Sequence, residues 1–122
     1  MVNVRRYIRR RRPTAYDPAP RPPKRITRRD YNELRAILGP LPKGVKSFTL
    51  VGGLYKRGYS EHDIDILVEL DYVKDENAYD EFQDWLQRKG MEFTAYTDDG
   101  EWWYWPAKRV ALDFFFIEQE EE

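Results

Sequence analysis

The chain has 122 residues, 41% of them hydrophobic and 16% aromatic, enough for one packed domain and too little for two independent cores. It has no cysteine and a single histidine, His62, which excludes a disulfide framework, a thiolate metal site and a zinc site built on several imidazoles; any metal must sit on oxygen ligands. The net charge of −1 hides an asymmetry, because residues 1–29 hold eleven Lys and Arg with one acid, whereas residues 30–122 hold ten bases with 21 acids. A basic arm is therefore attached to an acidic body.

The arm is assigned to residues 1–25. Arg5, Arg6, Arg9, Arg10, Arg11 and Arg12 crowd its start, and Pro13, Pro18, Pro20, Pro22 and Pro23 keep the rest of it extended and flexible. These six arginines are the candidate nucleic-acid-binding residues, since each cation that neutralises a phosphate releases a counterion. The alternative reading of the arm is a solvated tail, or one that folds onto its own acidic body. No apolar core comes after the first basic residues, so no secretory signal is read here. No apolar run approaches the ~18 residues of a membrane span, so no membrane partner is expected. A cytoplasmic setting is expected, with the Arg-rich arm able to serve as a nuclear address in a eukaryotic cell.

The domain proper is assigned to residues 26–117. Thr27 and Asp30 have the spacing of a capping box, Ile26 and Tyr31 that of a hydrophobic staple, and Tyr31, Leu34, Ile37 and Leu38 one apolar helical face that Gly39-Pro40 stops. Val45 to Val51 reads as a buried strand broken by Gly52-Gly53, with a turn or helix start over 53–60. Asp63 to Leu70 reads as the next strand. Residues 75–89 read as a helix, acidic at its start and basic at its end. Two strands, about 91–97 and 101–105, are joined at Asp98-Asp99-Gly100 as a hairpin, and a last strand runs from Lys108 to Ile117. Residues 118–122 are an acidic tail, expected to fray or to pair with the basic arm.

The chemistry is concentrated between Gly52 and Asp65. A strand that ends in two glycines and enters a helix leaves backbone N–H groups unshielded, which suits an anion such as a polyphosphate. Lys56 and Arg57 add cations in the same turn, and Gly52, Gly53, Lys56, Arg57 and Ser60 are the candidate nucleotide-binding residues. Asp63 and Asp65 lie two apart on a strand and so share a face, where they repel each other unless a divalent cation lies between them. Asp113 is the only acid in the apolar strand Val110-Ala111-Leu112-Asp113-Phe114-Phe115-Phe116. Its charge must be exposed in a cleft, paired or placed on a metal. A phosphate cradle beside three carboxylates is the apparatus of phosphoryl transfer, so Asp63, Asp65 and Asp113 are the candidate catalytic and metal-binding residues.

This pattern resembles the signature of the nucleotidyltransferase superfamily, a Gly-Gly or Gly-Ser turn followed by Asp-hydrophobic-Asp and a third acid on a later strand. Within it, Gly52-Gly53-Leu54-Tyr55-Lys56-Arg57-Gly58 and His62-Asp63-Ile64-Asp65 are most similar to the palm domain of family X DNA polymerases, of the polymerase beta and terminal transferase type. The resemblance implies an α/β palm with a short mixed sheet, helices on one face and the cleft on the other. It also implies two Mg²⁺ (or Mn²⁺) ions bridged by Asp63 and Asp65, with Asp113 on the catalytic metal and helping to activate the attacking hydroxyl, and a triphosphate held by Gly53 and Arg57. The expected activity is transfer of a nucleoside monophosphate from an NTP or dNTP to a hydroxyl, a nucleic-acid end being the leading acceptor. Templated synthesis by this chain alone is not expected, because nothing in it matches the family's thumb or helical fingers. The alternatives are a minimal nucleotidyltransferase that modifies a helical partner protein, and a non-catalytic palm-like module that binds nucleic acid or a partner, a homodimer included.

Two further features keep two readings each. His62 is either a contact to phosphate or metal or a hydrogen-bonded structural histidine. In Trp102-Trp103-Tyr104-Trp105, alternation predicts one buried and one exposed face, the exposed half being available for base stacking or for a dimer interface.

Overall fold

The structure of the protein, a computed structural model, describes residues 3–6, 22 and 24–121, with 3–6 and 118–121 as backbone. Its elements in chain order are β1 (Asn3–Arg6), β2 (Ile26–Thr27), α1 (Arg28–Leu38), β3 (Val45–Val51), α2 (Gly52–Arg57), β4 (Tyr59–Ser60), β5 (Asp63–Leu70), α3 (Ala78–Arg88), β6 (Glu92–Tyr96), β7 (Gly100–Trp105), β8 (Val110–Phe116) and β9 (Glu118–Glu121). Five strands form one mixed sheet in the order β3-β5-β8-β7-β6, in which only β5 and β8 are parallel. The α/β fold with a short mixed sheet, expected from the resemblance, is the fold observed.

Side-chain alternation gives this sheet two unlike faces. Ile64, Ile66 and Val68 of β5 and Leu112 and Phe114 of β8 are fully buried, and they lie on one face because the register sets Ile64 beside Leu112 and Ile66 beside Phe114. The helices cover that face. Phe82 of α3 meets Phe114 edge-on at 5.3 Å and Phe116 at 5.7 Å between ring centroids, and Trp85 meets Phe48 of β3 at 5.9 Å. Leu34 and Leu38 of α1 join the same core, and the Arg35 guanidinium lies 5.0 Å over the Phe48 ring. The opposite face carries Asp63, Asp65 and Glu69 from β5 and Asp113 from β8.

One carboxylate sits on the helix side. Glu101, fully buried, accepts hydrogen bonds from the Tyr79 hydroxyl at 2.7 Å, the Trp103 indole N–H at 2.8 Å and the Gln83 amide at 3.3 Å. Burial and the bond to Glu101 push the Tyr79 phenol far above its ordinary value. The folded phenol therefore keeps its proton at a pH where an unfolded tyrosine ionises. Its contribution is complete below about pH 10 and is lost as the pH rises beyond it. The denaturation midpoint is expected to fall as the pH is raised from about 9 to about 11.5, and the Tyr79→Phe variant to show a shallower fall.

Three expectations change. The helix expected from residue 75 begins at Ala78, because the Asp75 carboxylate accepts from the Asn77 N–H at 3.0 Å and its carbonyl from the Ala78 N–H at 3.0 Å, closing a turn instead. The last strand begins at Val110 rather than Lys108, since Arg109 has φ 59° and Lys108 turns back to α1, 2.9 Å from Glu33 and 3.4 Å from Asp30. Of the two readings of the acidic tail, pairing with the basic arm is the one observed through Glu121: β9 pairs antiparallel with β1, Arg6 in register with Glu118. Trp102, Trp103 and Trp105 are all at most 3% exposed, so no tryptophan of that cluster offers a ring for base stacking. Among the described residues, no helix is long and apolar enough to cross a membrane.

Candidate metal centre

The sheet order assembles the site. Val51, the last residue of β3, stands beside Asp65 of β5, which stands beside Asp113 of β8. The end of the strand that leads into Gly52 and two of the three acids thus lie in one row across three strands, about 4.8 Å apart per step. Asp63 opens β5 two residues before Asp65 and projects from the same face. One carboxylate oxygen from each of Asp63, Asp65 and Asp113 lies within 4.8 Å of the others, forming a group that could hold a metal ion.

Burial raises the electrostatic stakes. Asp63 is 9% exposed, Asp65 3% and Asp113 0%. Before any counter-charge, two carboxylates at 4.8 Å repel by about 3.5 kcal/mol at an effective dielectric of about 20. The donor set is all hard oxygen, which fits Mg²⁺, Mn²⁺ or Ca²⁺ and not a soft metal.

Beside the acids lies a cavity of about 380 Å³ lined by Gly52, Gly53, Lys56, Arg57, Ser60, Glu61, His62, Asp63 and Asp65. Every candidate nucleotide-binding residue therefore lines the same cavity as two of the acids. Gly52 has φ 73°, which a side chain resists. A Cβ on Gly53 would collide with the Arg57 guanidinium, so the second glycine is what lets that cation fold back over the start of α2. Gly58 then ends α2 in the left-handed conformation, its N–H bonded to the Leu54 carbonyl at 2.9 Å.

Ser60 has a second task. Its hydroxyl oxygen accepts from the His62 and Asp63 N–H groups, each at 3.3 Å, which turns the chain into β5 with Asp63 facing the site. His62 is half-buried at the cavity wall. Arg9, Arg10, Arg11 and Arg12 lie outside the described residues, and Arg5 and Arg6 belong to β1.

The spacing of the motif does not point to Arg25 or Tyr59, which touch the lining residues Glu61 and Arg57. Arg25, by sequence the last residue of the arm, lies 4.2 Å over the Tyr59 ring and 3.3 Å from Glu61. It is held there because β2 pairs with β4, Thr27 facing Tyr59 and Ile26 facing Ser60. Two-residue strands leave no periodicity to read. Comparison of the chain with protein-family models, with curated proteins and with solved structures finds no match.

Proposed function

We propose that the protein is a metal-dependent nucleotidyltransferase that moves a nucleoside monophosphate from an NTP or dNTP to a hydroxyl acceptor, a nucleic-acid end by preference. The observation that carries this reading is the convergence of Asp63, Asp65 and Asp113 within 4.8 Å, the first two of them lining one cavity with Gly52, Gly53, Lys56 and Arg57. Carboxylates and phosphate-binding groups side by side are what transfer at a phosphorus atom requires. The resemblance to the family X palm points the same way.

The chain's own residues divide the work. Asp63, Asp65 and Asp113 would hold two Mg²⁺ or Mn²⁺ ions, which would neutralise the phosphates and acidify the attacking hydroxyl. Lys56 and Arg57 draw the triphosphate into the cavity, and the Gly52-Gly53 turn lets it approach the backbone. A carboxylate oxygen of Asp113 takes the proton of the acceptor hydroxyl. The hydroxyl oxygen bonds to the α-phosphorus as the bond to the α–β bridging oxygen breaks, and pyrophosphate leaves. The basic arm draws the acceptor through its phosphates in a cytoplasmic setting.

The test incubates α-labelled NTPs and dNTPs with Mg²⁺ or Mn²⁺ and DNA, RNA or protein acceptors. Label is expected on a nucleic-acid end, to be lost in Asp63→Asn, and to fall with rising salt or on deletion of residues 1–25. Label on a protein acceptor, unaffected by that deletion, would favour a partner-modifying enzyme. Transfer that survives Asp63→Asn would remove the mechanism.

A further inference from the structure

We propose that Tyr59 is a positioning residue: its ring fixes the Arg57 guanidinium at the mouth of the carboxylate cavity, where that cation meets the phosphates of a bound nucleotide. The proposal rests on the nucleotide-binding reading of this cavity and adds to it Tyr59 and Arg25, which that reading does not use.

Two guanidinium groups lie over the Tyr59 ring, that of Arg25 at 4.2 Å and that of Arg57 at 5.2 Å from its centroid. Stacking occupies the flat face of a guanidinium and leaves the N–H groups at its edge directed outward, so a stacked arginine keeps its donors for an anion. Arg57 is an exposed side chain at the end of a six-residue helix. Left to itself it would sample many rotamers and lose that freedom on binding. Contact with Tyr59 and closeness to the bare Cα of Gly53 restrict it beforehand, which raises affinity without adding a contact to the ligand.

Arg25 completes the arrangement by occupying the competing acid. Glu61 lines the same cavity, and a free carboxylate there would draw Arg57 away from its place. It is instead engaged by Arg25 at 3.3 Å. Tyr59 itself is fixed through its backbone, in β4 against Thr27, so the platform is anchored to the segment that leads into α1 rather than to the short helix it serves.

The test measures binding of inorganic tripolyphosphate with Mg²⁺, which needs no choice of base, to the full chain and its variants. Tyr59→Leu is expected to weaken binding by roughly two- to fivefold, the range of an exposed cation–π contact. Tyr59→Phe, which keeps the ring, stays within about twofold of the wild type on the same grounds. Arg57→Ala weakens binding at least as much as Tyr59→Leu, and the double variant is no weaker than Arg57→Ala alone, the signature of two residues acting as one. In NMR spectra the Arg57 Hε resonance is expected upfield by ring current in the wild type and Tyr59→Phe, and unshifted in Tyr59→Leu. Losses that add in the double variant, or a Tyr59→Leu protein that binds as the wild type does, would overturn the positioning role while leaving the nucleotide reading intact. A wild type that binds neither Mg-tripolyphosphate nor any Mg-NTP would overturn both.

Discussion

Asp113→Asn is expected to lower nucleotidyl transfer by roughly 10³-fold, the scale on which single charge-stabilising groups act in phosphoryl transfer, or about 4 kcal/mol of barrier. Of the three clustered acids Asp113 is the one with no exposure at all, and the parallel register holds it directly beside Asp65. Asparagine has the same size, so the strand packing is kept while the proposed anionic ligand and proton acceptor are lost together. The same change separates metal binding from folding. Addition of Mg²⁺ or Mn²⁺ at ten times its dissociation constant is expected to stabilise the wild type by about 1.4 kcal/mol through mass action. For a domain of this size that is several degrees of melting temperature. The melting temperature of Asp113→Asn is expected to move by much less at the same metal concentration. An Asp113→Asn protein that transfers label within tenfold of the wild type would exclude it from the reaction.

The largest expected effect on stability lies on the other face of the sheet. Glu101→Ala removes the acceptor shared by the Tyr79 hydroxyl, the Gln83 amide and the Trp103 indole, and Trp103 is itself fully buried. Bonds to a charged acceptor contribute about 1.5–3 kcal/mol each, and a buried donor left without one costs about 1–3 kcal/mol. Only the indole is wholly cut off from water, so the variant is expected to lose about 3–4 kcal/mol of unfolding free energy on that scale. Glu101→Gln keeps one acceptor oxygen and is expected to lose about half as much. Urea denaturation followed by tryptophan fluorescence measures both. A loss below about 1 kcal/mol for Glu101→Ala would mean that the three donors find water or new partners. Because this network faces α3 and not the acids, the Glu101→Gln protein that remains folded is expected to keep its metal affinity.

The fold is legible in the sequence where the physical signals are local. Strands β3 and β5 run over the residues expected because their apolar runs are bounded by Gly44 and Gly52-Gly53 in one case and by His62 and Asp71 in the other. Asp113 could be singled out because an acid inside Val110–Phe116 has no inexpensive place in an apolar strand. That the three acids meet depends on a sheet order with β8 beside β5, which a pair of separate apolar runs does not encode by itself. Other features arise from tertiary contact alone. Thr27 and Tyr59 pair across a two-residue bridge, too short to alternate, so Arg25 looked like part of the arm. Alternation in Trp102 to Trp105 predicts one buried face, which is the face of Trp103 and Trp105 in the helix-side core. It could not show that Trp102, across from Asp113 on the opposite face, is also buried. Nor does composition separate Glu101 from the solvated acids around it, since only the three donors brought by α3 and β7 make its burial tolerable.

The proposed chemistry depends on Asp63, Asp65 and Asp113 acting together as ligands of divalent ions. Manganese titration followed by electron paramagnetic resonance measures this directly in the full chain, without a nucleotide or an acceptor. The wild type is expected to take up Mn²⁺, with Mg²⁺ competing for the same site. Asp65→Asn is expected to weaken uptake at least tenfold, the lower scale for loss of a group that supports a metal. Saturable binding that is unchanged in Asp65→Asn and Asp113→Asn, or a wild type that takes up no Mn²⁺, would contradict it.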